Sequence, residues 1–319
     1  MLNNPILLYH SCFEDVPKSF EGFIHNIAPE LVVEQVQQVA RDRRFISLSE
    51  FLSADKLNGC ACVTFDDGHR NIFETVIPVL LDLGIPVTIF LSGAMLEGKG
   101  LWRDRVRFLI NAGLVSDFVS YLHSQHCSFS HISSDNFYRC SKDPVVNSKY
   151  LDRKLCSYLQ DHFSAPELQE IASYSITSGE LPDHPLVTYG SHGYDHYVLS
   201  SLTEDEQEQD IIQNEMLLES VVPQNRLIKA FALPFGGTHT VNTTTFDILA
   251  KRGYEAVLFS RSCHNSNTLC VNGNLKLVER WIVPADMHSF HKIFGVHPLK
   301  RVLLRSLRFF RSHSCVALL

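Results

Sequence analysis

The sequence predicts an α/β fold in which short apolar strands alternate with crossover helices. Three observations carry this. Seven apolar runs rich in Val, Ile, Leu and Phe recur along the chain, segments with helical periodicity lie between them, and glycines fall where those helices should stop. Strand–helix alternation of this kind is the mark of a parallel sheet covered by helices. With 45% hydrophobic residues in 319, the chain has ample material for a buried core.

The elements follow in order. The run PILLY (5–9) precedes a helical pattern over 29–43. CACVTF (60–65) gives way at TFDDG to a second pattern over 72–83, ended by Gly84 in the place of a left-handed C-cap. PVTIFL (86–91) is followed by a stretch, 101–184, with no convincing strand and with amphipathic pieces such as LWRDRVRFLINAG and NSKYLDRKLCSYLQDHF; it reads as a helical cap inserted beside the active face. PLVTYG (185–190) leads into a helix over 203–221, where Thr203 and Glu206 have capping-box spacing. KAFAL (229–233) precedes a helix over 243–252 ended by Gly253, and YEAVLF (254–259) and KLVERWIV (276–283) complete the set. Such an alternation forms an open doubly wound sheet or a barrel, and either one places its chemistry beyond the C-terminal ends of the strands. There is no internal repeat and no low-complexity linker, so one domain over 1–295 with an inserted cap, followed by a tail over 296–319, is the simplest organisation.

Charge and targeting signals narrow the function classes. A net charge of −7, with 28 basic against 35 acidic residues, gives no general nucleic-acid footprint. The start MLNNPILLYH has neither the basic flank nor the apolar length of a signal peptide, and no apolar run reaches membrane-spanning length, which predicts a cytoplasmic protein. The nine cysteines are odd in number and lack paired metal-type spacing; they are expected to be reduced, and Cys60 and Cys62 to be small hydrophobes on one face of a strand.

Three strand ends carry chemistry. The second run ends in Asp66 and Asp67, adjacent like charges that a core-edge position should avoid unless something cationic shares the site. The fourth ends in YGSHGYDH, with His192 and His196 four apart, and the first ends in His10. Two neutral imidazoles and a carboxylate suit a divalent ion such as Zn²⁺ with a position left for water, and such an ion would neutralise one of the two acids. A plain Asp-Gly turn and surface histidines are the alternatives for each motif alone; together, after apolar strands, they make the metal site the better reading. HSQHCSFSH, with His123, His126, Cys127 and His131, lacks paired-cysteine spacing and is expected to be a polar loop of the cap.

On these residues the sequence resembles the polysaccharide deacetylases, the NodB-homology or carbohydrate esterase family 4 group. The resemblance implies a distorted (β/α)7 barrel with the helical insertion after the third strand, and removal of an acetyl group from a sugar with a metal-bound water. TFDDG (64–68) is similar to the first family motif, which implies Asp66 as general base and Asp67 as metal ligand. HGYDH (192–196) is similar to the second, with His192 and His196 as ligands, and FALPFG (231–236) to the third, with the Phe235 N–H as oxyanion donor. LLYHS resembles a circularly permuted branch of the family, which implies His10 as general acid in place of a C-terminal histidine; His288, His291 and His297 are the next candidates.

Two departures stand out. Gly193 replaces the usual Ser or Thr, so the ligand turn must be held by other contacts. Ala232 replaces the arginine that usually pairs with the base, which predicts an Asp66 with a raised pKa and a loosened orientation. Arg280-Trp281 is a loose match to a fourth motif, and His69 and Trp281 are expected to line the substrate rim.

The function expected is a metal-dependent hydrolase removing an N-acetyl, or alternatively an O-acetyl, group from a sugar, oligosaccharide or lipid-linked saccharide in surface-polysaccharide or glycolipid synthesis. A deformylase or cyclic-amide hydrolase on the same scaffold, or an impaired carbohydrate-binding relative, are the competing classes. The tail interleaves Lys300, Arg301, Arg305, Arg308 and Arg311 with Leu299, Val302, Leu303, Leu307 and Phe310, and fits equally a helix lying on an anionic membrane at the inner face and one docking on the barrel.

Overall fold

Side-chain parity along the strands decides which residues meet inside this fold, because successive residues of a strand point to opposite faces. The computed structural model describes residues 4–22, 24–125, 129–266 and 269–295. Its strands are β1 Ile6–Tyr9, β2 Arg44–Phe45, β3 Cys60–Asp67, β4 Val87–Leu91, β5 Val187–Ser191, β6 Leu227–Ala232, β7 Ala256–Phe259, β8 Cys270–Asn272, β9 Leu275–Glu279 and β10 Trp281–Ile282. The sheet order is β10-β1-β3-β4-β5-β6-β7-β9-β8, with β2 beside β3, and every pairing is parallel except β8 with β9.

The seventh predicted run is split at a single residue, Arg280. Its first part pairs with β7 and its second with β1, so one segment of chain joins the two ends of the sheet into a nearly closed barrel. The expected (β/α)7 barrel is therefore present. The small strands β2 and β8 are additions the apolar pattern does not reveal.

One parity class fills the barrel. Ile6, Cys60, Cys62, Phe90, Ala230, Ala232, Ala256, Leu258 and Val278 form a single buried cluster, plugged by Leu48, Phe51 and Leu52 of the helix Leu48–Ser53. The small residues compensate for Phe90: a Cβ at Gly190 would approach that ring to 2.5 Å. The opposite class, including Leu7, Tyr9, Val63, Phe65, Ile89 and Tyr189, packs against the helices Pro29–Ala40, Ile77–Asp82, Glu204–Val221 and Met287–Phe294. Helix ends follow the expected chemistry: Gly84 and Gly253 have φ of +70° and +76°, and Thr203 and Glu206 exchange their capping bonds.

The insertion is helical. Trp102–Asn111, Val115–Ser124, Phe137–Cys140, Ser148–His162 and Ala165–Ser173 pack into a cluster continuous with Phe231, Val257 and Phe259 on the outside of β6 and β7. Trp102 Nε1 donates to the His196 carbonyl at 2.8 Å, which ties this layer to the mouth of the barrel. Among the described residues no helix is long and apolar enough to cross a membrane. The basic tail, 296–319, lies outside the described residues.

Candidate functional site

The adjacent acids reach one cleft because the backbone breaks parity between them. Asp66 continues the inward series of Cys62 and Thr64, whereas Asp67 should point outward; a left-handed φ of +75° at Asp67, followed by Gly68 at +111°, lets both line the same cleft. Asp66 is not unpaired, as the alanine at 232 led one to expect. Arg280, fully buried, donates from Nη1 to Asp66 Oδ1 at 2.6 Å and from Nη2 to Oδ2 at 2.8 Å. This corrects the predicted raised pKa: burial pushes Asp66 up, but the Arg280 guanidinium and the His192 imidazole outweigh it and hold the carboxylate below its usual range.

His192 stands just past the end of β5 and donates from Nδ1 to the Ala232 carbonyl at 2.8 Å, so its Nε2 lone pair faces the acids. His192 Nε2 is 3.5 Å and His196 Nε2 3.6 Å from Asp67 Oδ1. The turn between the histidines is held by Asp210, from the helix Glu204–Val221, whose Oδ2 and Oδ1 accept from the N–H groups of Tyr194 (3.0 Å) and Asp195 (2.9 Å). Gly193 has φ +74°, and a Cβ there would lie 2.7 Å from Asp210 Oδ2. A side chain at 193 and the Asp210 brace are thus incompatible, which explains the departure from Ser or Thr.

Asp67, His192 and His196 offer three ligand atoms that all lie within 4.8 Å of one another. Asp67 Oδ1 is buried and has no hydrogen-bond partner among the described residues, although its neighbours are imidazoles. A buried carboxylate oxygen left this way is costly unless a cation completes it. Two imidazole nitrogens and one carboxylate oxygen are the donor set of an open zinc-type site, so the residues fit the divalent ion expected there.

His10 lines the cleft, and its Nδ1 is 3.1 Å from His25 Nδ1. His25 Nε2 is 3.0 Å from the Val283 carbonyl, which can only accept. His25 therefore donates from Nε2 and accepts at Nδ1, so neutral His10 carries its proton on Nδ1 and leaves Nε2 free to take up and release another. His10 shows an edge to the cleft but is enclosed by protein; desolvation outweighs the pull of Asp67 and Asp66 and pushes its pKa down to about 3. Phe235 sits in the left-handed region (φ +63°) and lines the same cleft, its ring 4.9 Å from that of His196.

Two expected rim residues lie elsewhere. His69 is buried, 0% exposed, with Nε2 3.6 Å from Asp67 Oδ2 and its ring edge-on to Phe13 and Phe20; it backs Asp67 from within. Trp281 packs on Phe294 and donates to His264 Nδ1 at 3.1 Å, while its neighbour Ile282 reaches the cleft. His123 stands in the last turn of the helix Val115–Ser124 rather than in the expected loop, with Nε2 3.1 Å from the Ile132 carbonyl, and His126 and Cys127 lie outside the described residues. His297 lies outside them as well. Asp210, His25 and the cap residues Arg103, Arg107, Tyr138 and Lys142, which line the cleft, carried no local signal in the sequence.

Comparison with known proteins agrees with the fold. Residues 170–257, which hold HGYDH and FALPFG but not TFDDG, match the polysaccharide deacetylase family model. Among solved structures the chain is similar to the Streptococcus pyogenes deacetylase PplD in complex with acetate (16% identity, 93% of this chain and 99% of that one, TM-score 0.54). It is similar to IcaB from Ammonifex degensii (16%, 93% and 98%, 0.55) and to a de-N-acetylase from Aggregatibacter actinomycetemcomitans (11%, 90% and 99%, 0.55). At these identities the likeness is one of fold. No curated protein sequence matches the chain.

Proposed function

We propose that this polysaccharide deacetylase-like barrel hydrolyses the acetamido group of an N-acetylated sugar, with a divalent ion, Zn²⁺ by its donor set, held by Asp67, His192 and His196. The observation that carries this is the meeting in one cleft of a fixed base, Asp66 clasped by Arg280, with the Asp67–His192–His196 trio and the two-histidine pair His10–His25. When bound, the ion supplies Lewis-acid activation of the carbonyl and of water.

The chain's own residues supply the proton transfers. Asp66 takes the proton of the attacking water as its oxygen bonds to the acetyl carbon, and Arg280 keeps that carboxylate in one orientation. The Phe235 N–H donates to the carbonyl oxygen as it gains negative charge. His10 delivers a proton from Nε2 to the sugar nitrogen as the carbon–nitrogen bond breaks, because an amide anion is a very poor leaving group. Enclosure keeps His10 neutral at rest, so the proton it gives must reach Nε2 during turnover, and the one captured by Asp66 is the nearest source.

The Arg280–Asp66 pair supports an active enzyme over an impaired relative, because Asp66 has a buried arginine partner although position 232 is alanine. The test is acetate release from N-acetylglucosamine and its oligomers, beside formate release from N-formyl analogues, by metal-loaded wild type and Asp66→Asn. Acetate from the wild type alone, with equal metal in both proteins, is expected. Formate only, or acetate from both, overturns the assignment.

A further inference from the structure

The cap puts three cations on one wall of the cleft: Arg103, Arg107 and Lys142. They gather round Tyr138, with the Arg103 guanidinium 5.1 Å and Lys142 Nζ 3.7 Å from its ring. Arg103 is 3% exposed, and its Nη1 donates to Ser141 Oγ at 2.8 Å. Its Nη2 is buried without a hydrogen-bond partner among the described residues. A guanidinium donor left like this in a cleft wall costs free energy until an acceptor meets it. Burial and the neighbouring Arg107 push Arg103 down to about 10, although the Tyr138 side chain and Asp104 pull the other way, and burial with Arg103 lowers Lys142 against the pull of Tyr138.

The charge balance limits what can bind there. Arg107 pairs with Asp104. Asp66 is taken by Arg280, and Asp67 belongs to the imidazole trio. Of the wall's three cations, only Arg107 forms an ion pair with a carboxylate among the described residues. Two positive charges match a phosphoryl group, which carries nearly two negative charges at neutral pH and three acceptor oxygens; a single carboxylate would leave one cation over. The wall also lies beside the reacting centre, with Arg103 5.7 Å from the Phe235 ring. That places an anion within one sugar ring of the acetamido carbonyl.

We propose that Arg103 and Lys142 form a phosphoryl subsite, so that the N-acetylated sugar accepted here is a phosphosugar, with the phosphoryl close to the acetamido group. The inference rests on the deacetylase reading for its reaction but not for its binding site. The cap would then select substrate by charge while the barrel does the chemistry.

Two measurements test it separately. The first is calorimetric titration of chelator-treated protein with glucose 1-phosphate and with glucose. Binding of the phosphate ester alone is expected, weakened about 10-fold or more in Arg103→Met and, for a variant on a less buried residue, in Lys142→Met. Binding that vanishes on chelation, or that both variants retain, overturns the subsite. The second compares kcat/KM on N-acetylglucosamine, its 1-phosphate, its uridine diphosphate ester and a polyprenyl-diphosphate-linked form, the last three separating free, nucleotide-linked and lipid-linked sources. An advantage of about 10-fold or more for phosphoryl-bearing substrates, entering through KM and erased in both variants, is expected. Equal loss on neutral and phosphorylated sugars, or preference for an N-acetylated uronate, overturns the phosphoryl assignment. If no sugar releases acetate while glucose 1-phosphate still binds through Arg103 and Lys142, the deacetylase reading fails and the subsite stands.

Discussion

Arg280 holds both oxygens of Asp66, at 2.6 and 2.8 Å, from a position 214 residues further along the chain. It does so because it is the inward residue at the junction of β9 and β10, where the barrel closes. Arg280→Met leaves a buried carboxylate without its partner, a loss of about 3–5 kcal/mol. The pH dependence has a definite sign. Asp66 has a lowered pKa in the folded protein, so its pairing adds stability above the unfolded value of 3.8 and loses it as pH falls through the folded one. Urea denaturation at pH 7 and pH 3 should show Arg280→Met losing most at pH 7, with the gap to wild type narrowing in acid. A constant gap would show that the pair contributes nothing through Asp66 ionisation.

Metal retention separates the two acids. Asp67→Ala, His192→Ala and His196→Ala each remove one of three ligand atoms and should weaken divalent binding by more than the roughly 10–100-fold that losing an outer-shell partner costs. Asp66→Asn should keep the ion. Elemental analysis after dialysis reads this directly, and stoichiometric metal in a His192→Ala/His196→Ala double variant would sink the trio as the site.

Gly193 and Asp210 form one device. In Gly193→Ser the new Cβ meets Asp210 Oδ2 at 2.7 Å on a backbone at φ +74°, so the variant should be less stable by about 1–3 kcal/mol rather than gaining a brace. Asp210→Ala strips the acceptor from the Tyr194 and Asp195 N–H groups and should cost about 1–3 kcal/mol and weaken metal binding. Thermal melts with and without Zn²⁺ test both, and a Gly193→Ser protein that melts with the wild type would refute the incompatibility.

His10 gives a second pH signature. Its pKa falls from 6.5 to about 3 on folding, so the unfolded chain takes up the proton first and stability declines as pH drops between those values, by up to about 1.4 kcal/mol per pH unit. His10→Gln should make this decline shallower while leaving metal bound, the remainder belonging to His196, which burial also lowers to about 3, and to His25, and should lower kcat by about 10²–10⁴-fold. Unfolding free energies of metal-free protein at pH 5 and 7 measure the first effect; an unchanged slope would show that His10 is not the group enclosed.

Local physics makes much of this protein legible from its sequence. The strand runs, the stops at Gly84 and Gly253 and the Thr203–Glu206 box depend on burial pattern, left-handed φ and capping among residues near in sequence, and the structure has them where those rules put them. The acids at 66 and 67 and the histidines at 192 and 196 could be brought together in thought because parallel strands present their C-terminal ends to one face. What closes the site is not local. Arg280 for Asp66 across 214 residues, Asp210 for the ligand turn across 15 and 16, His25 for His10 across 15, and Arg103 beside Phe235 depend on which strand meets which and on how the cap folds over the mouth. His69 shows the same limit in reverse: next to the acids in sequence, it is buried because Phe13 and Phe20 from another segment cover it. Charges and cavities are satisfied by whatever the closed barrel brings near, and only the tertiary structure decides what that is.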